Sequence, residues 1–145
     1  MKFLSFLGKR LKDDDVMHVL DCAQIKVIYD FDRLHENIPD RYWAASKKDG
    51  FLFGFDANQI LEVIFLYVAP NEDFAPVIRT DCDVQFFSTS DEVEAHGAER
   101  KFRVTKGKAA LLGIQRDWVR LEYEKQSVHY EFRSGQLTLV TITKR

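Results

Sequence analysis

One part of this chain matches another part of itself. Displace the sequence by about 77 positions without a gap, and Asp14 falls on Asp91, Val16 on Val93, Val27 on Val104 and Leu34 on Leu111. The register continues with Asp40 on Asp117, Lys48 on Lys125, Phe55 on Phe132, Gln59 on Gln136 and Val63 on Val140. A fixed period restricts the architecture before any residue is interpreted, because each copy must fold alike and bury its apolar face against a neighbour. The self-match predicts a single domain over 1–145, built from a pseudo-repeat at 12–68 and a second at 89–145, joined by a linker over 69–88.

The pattern within each repeat predicts an α+β fold. Asp13, Asp14 and Asp15 precede Val16, Met17, Val19 and Leu20. Acids in a first turn favour the amide dipole, and the apolar spacing gives one buried face, so a helix is expected over about 13–23. The β-branched run 24–29 reads as extended, and the polar stretch from Asp30 to Asp40 as a loop. Strands are expected at 41–46, 51–55 and 60–68, with turns at 47–50 and 56–59. Pro70 and Pro76 mark the linker, followed by a strand candidate in two pieces over 77–87.

Thr89 with Glu92 fits a capping box that opens the second helix, and Gly97 is expected to end it. Residues 101–105 read as extended, Lys106-Gly107-Lys108 as a turn, and 117–123 as a strand of strict apolar–polar alternation. Strands at 127–132 and 137–143 close around a Ser134-Gly135 turn. That turn pairs Phe132 with Leu137, Tyr130 with Leu139 and Val128 with Thr141. The same logic pairs Phe55 with Ile60, Phe53 with Glu62 and Phe51 with Ile64. Each repeat thus reads as a helix, an irregular segment and three antiparallel strands, the two joined in one extended antiparallel sheet with helices on one face. The first repeat is apolar on both faces, so its second side needs a cover: its own helix, the N-terminal arm or a partner.

Composition narrows function by exclusion. A net charge of −2 with scattered signs argues against a nucleic-acid binder, which needs a basic stripe to displace counterions. The arm Phe3-Leu4-Ser5-Phe6-Leu7 is too short for a signal-peptide core of about 7–15 residues, and no stretch approaches the roughly 20 apolar residues of a membrane span. The arm is expected to dock on the body, and the protein to be cytoplasmic with no membrane partner. Cys22 and Cys82 form no C-x-x-C pair and read as free buried thiols, which fits a reducing compartment.

No motif announces a reaction. His18, His35, His96 and His129 show no metal-ligand spacing, although His18 and Cys22 share a helical face. No phosphate-cradling or dinucleotide glycine pattern occurs, so no cofactor and no catalytic residue are assigned. Asp30, Asp32, Glu36 and Asp40 share one loop with His35, an acidic surface suited to a basic partner. Trp43, Trp118 and Arg120 are residue types that anchor protein interfaces. These seven residues are the candidate partner-binding set. Phe51, Phe53, Phe55, Tyr130 and Phe132 are the alternative, the lining of a small-ligand or lipid pocket.

The run Ser90-Asp91-Glu92-Val93 with Gly97, then Asp117 to Tyr123, His129-Tyr130-Glu131-Phe132 and Leu137 to Val140, resembles the tandem helix-plus-sheet units of the β-lactamase inhibitor protein and related bacterial lipoprotein domains. The chain is also similar in size, mild acidity and lack of a catalytic motif to small bacterial immunity proteins. That resemblance implies a cytoplasmic, non-catalytic protein that binds and blocks one cognate toxin, as a monomer or weak homodimer.

Overall fold

A computed structural model of the protein describes residues 1–71 and 73–145, so linker position 72 lies outside the described residues. Among the described residues three α-helices, α1 (Phe3–Phe6), α2 (Asp14–Cys22) and α3 (Ser90–Glu99), accompany one eight-stranded antiparallel sheet. Its strands are β1 (Val27–Asp30), β2 (Arg41–Ser46), β3 (Phe51–Phe55), β4 (Leu61–Tyr67), β5 (Arg103–Leu111), β6 (Ile114–Glu122), β7 (Gln126–Arg133) and β8 (Gln136–Lys144). They lie in the order β1-β2-β3-β4-β8-β7-β6-β5. Four strands follow α2 and four follow α3, where three were expected. The extended segments before the predicted strands, 24–29 and 101–105, supply the additional edge strands β1 and β5.

Two rows of mostly apolar side chains cross the sheet, one over seven strands and the other over six. One runs Ala44–Phe53–Ile64–Ile142–Val128–Leu121–Val104. The other runs Ser46–Phe51–Leu66–Val140–Tyr130–Val119. Neighbours in each row sit directly opposite across a strand pair, the arrangement that stabilises sheets. Nearly all are fully buried. At the β1–β4 end, Phe3 lies edge-on to Phe51 at 5.4 Å and Phe6 contacts Phe53 at 6.1 Å. The N-terminal arm therefore docks as expected, held by reciprocal backbone bonds between Gly8, Lys9 and Leu61. At the other end, Val93 of α3 is buried and Gly97 abuts Val104 and Leu121.

Of the expected pairs Phe132↔Leu137 forms and the others are shifted. Phe55 pairs with Leu61 but Gly54 pairs with Val63, so Glu62 is an extra residue on β4. Phe132 pairs with Leu137 but Glu131 pairs with Leu139, so Thr138 is extra on β8. Each bulge exchanges the faces of everything beyond it, because side chains alternate with period two. Tyr130 consequently meets Val140 and Val128 meets Ile142, while Phe53 meets Ile64 and Phe51 meets Leu66. Without the bulges Leu61 and Leu137 would face away from the core that Ile64, Leu66, Val140 and Ile142 line.

Helix ends correct another expectation. Gly97 does not stop α3; it lies inside the helix, where a Cβ would stand 2.6 Å from Val104 Cγ2 and 2.7 Å from Leu121 Cδ2. The helix stops at a left-handed Lys101 (φ 60°), with Phe102 N–H donating to Gly97 O and Lys101 N–H to Ala98 O. Helix α2 ends the same way at Gln24 (φ 54°), with Ile25 N–H donating to Leu20 O and Gln24 N–H to Asp21 O. Both are Schellman closures made without glycine. The capping box at the start of α3 forms: Thr89 Oγ1 accepts from Glu92 N–H, and the Glu92 carboxylate accepts from Ser88 N–H.

Two turn and strand assignments also change. Lys106-Gly107-Lys108 is inside β5, and the hairpin turns instead at Leu112-Gly113 with φ of 52° and 78°. Both values belong to a primed turn whose first position favours Asn or Asp. A leucine there costs about 1–2 kcal/mol, which is why turn chemistry did not reveal it. Residues 77–87 form no strand, only a 3-10 turn at Arg79–Asp81. Strand β4 already pairs with β8, so this segment crosses over the sheet and buries Val77, Val84 and Phe87. It is tied down by the Tyr130 hydroxyl, which donates to Gln85 O at 2.8 Å.

Replacing Gly97 with valine should lower stability by about 1–3 kcal/mol through overpacking, although valine is the better helix former. Urea denaturation with an unchanged m-value checks this; a variant as stable as the parent would contradict the packing described.

Candidate partner-binding face

The face opposite the two apolar rows carries a different set of residues. In the β1–β4 half it presents Ile28, Trp43, Ala45, Leu52, Val63 and Phe65, related by the pairs Ile28↔Trp43, Ala45↔Leu52 and Leu52↔Phe65. In the β8–β5 half it presents Thr141, His129, Arg120 and Thr105 in one row, and Leu139, Glu131 and Trp118 in the next. Trp43, Leu52, Phe65, Trp118, Arg120, His129 and Glu131 are all only partly buried. One half is therefore apolar and aromatic, the other polar with a single tryptophan.

Both tryptophans are seated on glycine. A Cβ on Gly54 would stand 2.8 Å from Trp43 Cζ3, and one on Gly107 would stand 2.4 Å from Trp118 Nε1. The missing side chains let both indoles lie low on the sheet. Trp43 is flanked by Phe65 at 6.4 Å and by the Arg41 guanidinium at 5.7 Å. Arg41 also pairs with Glu62 at 3.0 Å. Trp118 stacks on His129 at 5.1 Å, and His129 Nε2 stands 3.5 Å from a Glu131 carboxylate oxygen. Arg120 lies directly opposite His129, donates to Ser127 Oγ at 2.9 Å, and has a buried Nε–H without a partner among the described residues. A buried donor left unpaired costs about 1–3 kcal/mol.

The seven anticipated residues do not form one cluster. Trp43, Trp118 and Arg120 share a face, but β2 and β6 are five strand spacings apart, roughly 24 Å. The acidic residues gather at the β1 corner. Two of them are spent on folding the loop: Asp40 accepts from the Tyr29 hydroxyl at 2.5 Å and from Asp32 N–H, and Asp32 accepts from the Glu36 and Ile38 amides. The Tyr29 phenol is pushed up to about 12, first by that hydrogen bond to Asp40. Asp30 and Glu36 remain as exposed carboxylates beside Phe31, Leu34 and Ile38. Sequence reasoning missed these apolar neighbours, and it missed the exposed tip Leu111, Leu112 and Ile114.

The alternative pocket residues Phe51, Phe53, Phe55, Tyr130 and Phe132 are no more than 2% exposed and belong to the packed core. Among the described residues no three His, Cys, Asp or Glu side chains converge on a common point. His18 Nε2 and Cys22 Sγ approach to 3.5 Å, but Cys22 is exposed, not buried as expected, and both thiols are free. No helix is long and apolar enough, among the described residues, to cross a membrane. No family model matches the chain, and neither a curated protein nor a solved structure matches it.

The hydrogen bond from His129 holds the Glu131 carboxyl below its ordinary value, against partial burial, which raises it. A depressed folded value means that the pair stabilises fully above the unfolded carboxyl value of 4.5. The contribution is lost as pH falls through the folded value. Glu131→Gln should therefore reduce stability near pH 6 and leave it unchanged at about pH 2, as read by thermal melts across that range. An equal loss at both pH values would contradict an ionic role.

Proposed function

We propose that this chain is a non-catalytic protein-binding domain, a bacterial immunity protein that holds and neutralises a cognate toxin in the cytoplasm. The observation that carries the reading is the sheet face bearing Trp43, Trp118 and Arg120. It is wide and only partly buried, it places two indoles on glycine seats, and its arginine has a donor without an acceptor among the described residues. An interface of this kind needs aromatic and arginine anchors within a polar surround. The apolar β1–β4 half supplies contact area, and the His129, Glu131 and Arg120 half supplies directed polar groups.

In this reading the chain is a duplicated helix-plus-four-strand unit, with both long helices on the core side and the opposite face left for the partner. Three paired features support duplication. The sheet order is palindromic about β4–β8. The extra residues Glu62 and Thr138 fall at the starts of corresponding strands. The non-glycine Schellman positions Gln24 and Lys101 are separated by the same offset as the sequence self-match. A continuous sheet made this way gives a binding surface twice the width of one unit.

The test is calorimetry against the protein encoded by the neighbouring gene, inactivated by substitution at its own active site. A one-to-one complex is expected. Alanine at Trp43, Trp118 or Arg120 should each weaken it by about 2 kcal/mol, roughly 30-fold, whereas Lys48→Ala, on an exposed turn, should not. Binding indifferent to all three substitutions would refute this face as the grip; no binding would refute the partner.

A further inference from the structure

We infer that the chain associates with itself, the β5–β6 hairpin tip of one copy docking into the β1–β2 loop of the next. Every neighbouring pair in the sheet is antiparallel and β1 and β5 are its two edges, seven steps apart. The two edge strands therefore run in opposite senses, and the hairpins that follow them lie at diagonally opposite corners. These corners hold half of the exposed large apolar side chains among the described residues: Phe31, Leu34 and Ile38 at one, Leu111, Leu112 and Ile114 at the other.

Their chemistry is complementary. Leu112 is 92% exposed at the tip, with Leu111 and Ile114 beside it. Beside the tip, Lys108 sits directly opposite Asp117 and Lys106 is bonded to Glu94, which leaves Arg116 and, across from it on β7, Arg133 as the basic pair. Arg116 sits directly opposite Arg133, and neither guanidinium has a carboxylate within 4.0 Å among the described residues. Like charges placed directly opposite destabilise a strand pair, and a leucine in a left-handed turn position is unfavourable. Within one copy the Glu131 carboxylate, on which both guanidiniums act through space, offsets part of the first cost. At the other corner, Leu34 is 76% exposed on the rim of a cavity of about 360 Å³, which Phe31, Ile38, Asp30 and Glu36 also border. Residues 30–40 hold four carboxylates against one cation, Arg33, which lies over the Phe31 ring.

A basic apolar tip thus has its counterpart, an acidic apolar hollow, on the same chain and in equal number. An anionic lipid surface would satisfy the tip but repel the acidic loop. A second copy satisfies both. The contact is head-to-tail and does not close on itself in a single step. It is small, so the association should be weak, and it is charge-assisted, so salt should screen it.

Sedimentation velocity of the full chain tests this. At low salt the weight-average mass should rise above 16.9 kDa with concentration, and return to it at about 0.5 M salt. Leu112→Asn should keep the chain monomeric without lowering its melting temperature, because asparagine suits that turn position. The double variants Arg116→Glu/Arg133→Glu and Asp30→Lys/Glu36→Lys should each be monomeric alone. Mixed, they should associate with an affinity within about tenfold of the parent. A parent that stays at 16.9 kDa throughout at low salt would overturn the inference. So would undiminished association of Leu112→Asn, or a monomer that floats with phosphatidylserine vesicles through its tip.

Discussion

The pairing of β4 with β8 is the contact on which the rest of the molecule depends. It joins the β1–β4 run to the β5–β8 run through Ile64↔Ile142 and Leu66↔Val140, four fully buried side chains at the centre of the two apolar rows. Without it each run would present an exposed edge strand, a template for aggregation, and each row would be cut in half. With it, Phe3 and Phe6 at one end and Val93 and Gly97 at the other lie over one continuous apolar surface. The bulges at Glu62 and Thr138 serve this junction. They shift the facing of β4 and β8 so that the apolar side chains of both strands meet on the core side.

The same alternation that fills the core determines what is left on the other side. Every residue turned inward by the bulges turns a neighbour outward, and those neighbours include Phe65, Leu139 and Thr141. Trp43 and Trp118 reach this face from strands five places apart because the register is continuous from β2 to β6. The breadth of the face is therefore a consequence of the junction, not a separate feature. So is the diagonal placement of the two hairpin corners, since edge strands of an antiparallel eight-stranded sheet must run oppositely.

Much of this was legible in the sequence, and the failures have physical causes. The acidic first turn of α2 and the capping box of α3 marked both helices, because caps are local chemistry. The strict alternation of 117–123 put Trp118 and Arg120 on one face. Registers were not legible, because a single inserted residue such as Glu62 changes facing without a compositional mark. The β5–β6 turn was hidden because Leu112 is not a turn former, and the end of α3 was hidden because Lys101 stands where glycine usually does. Residues 77–87 carry strand-like apolar residues, yet the edge of β4 that they could have extended is already paired with β8. Bringing Trp43 onto the same face as Trp118 required the pairing of six strands, which no local pattern supplies.

Native-state hydrogen exchange, resolved by residue, tests the dependence on the junction most directly. If one sheet is built outward from β4–β8, the amides of residues 63–67 and 139–143 should exchange slowest, together, and only through global unfolding. Protection should decline toward β1 and β5. An opening that releases residues 27–67 while 103–144 stay protected, or the reverse, would contradict the account.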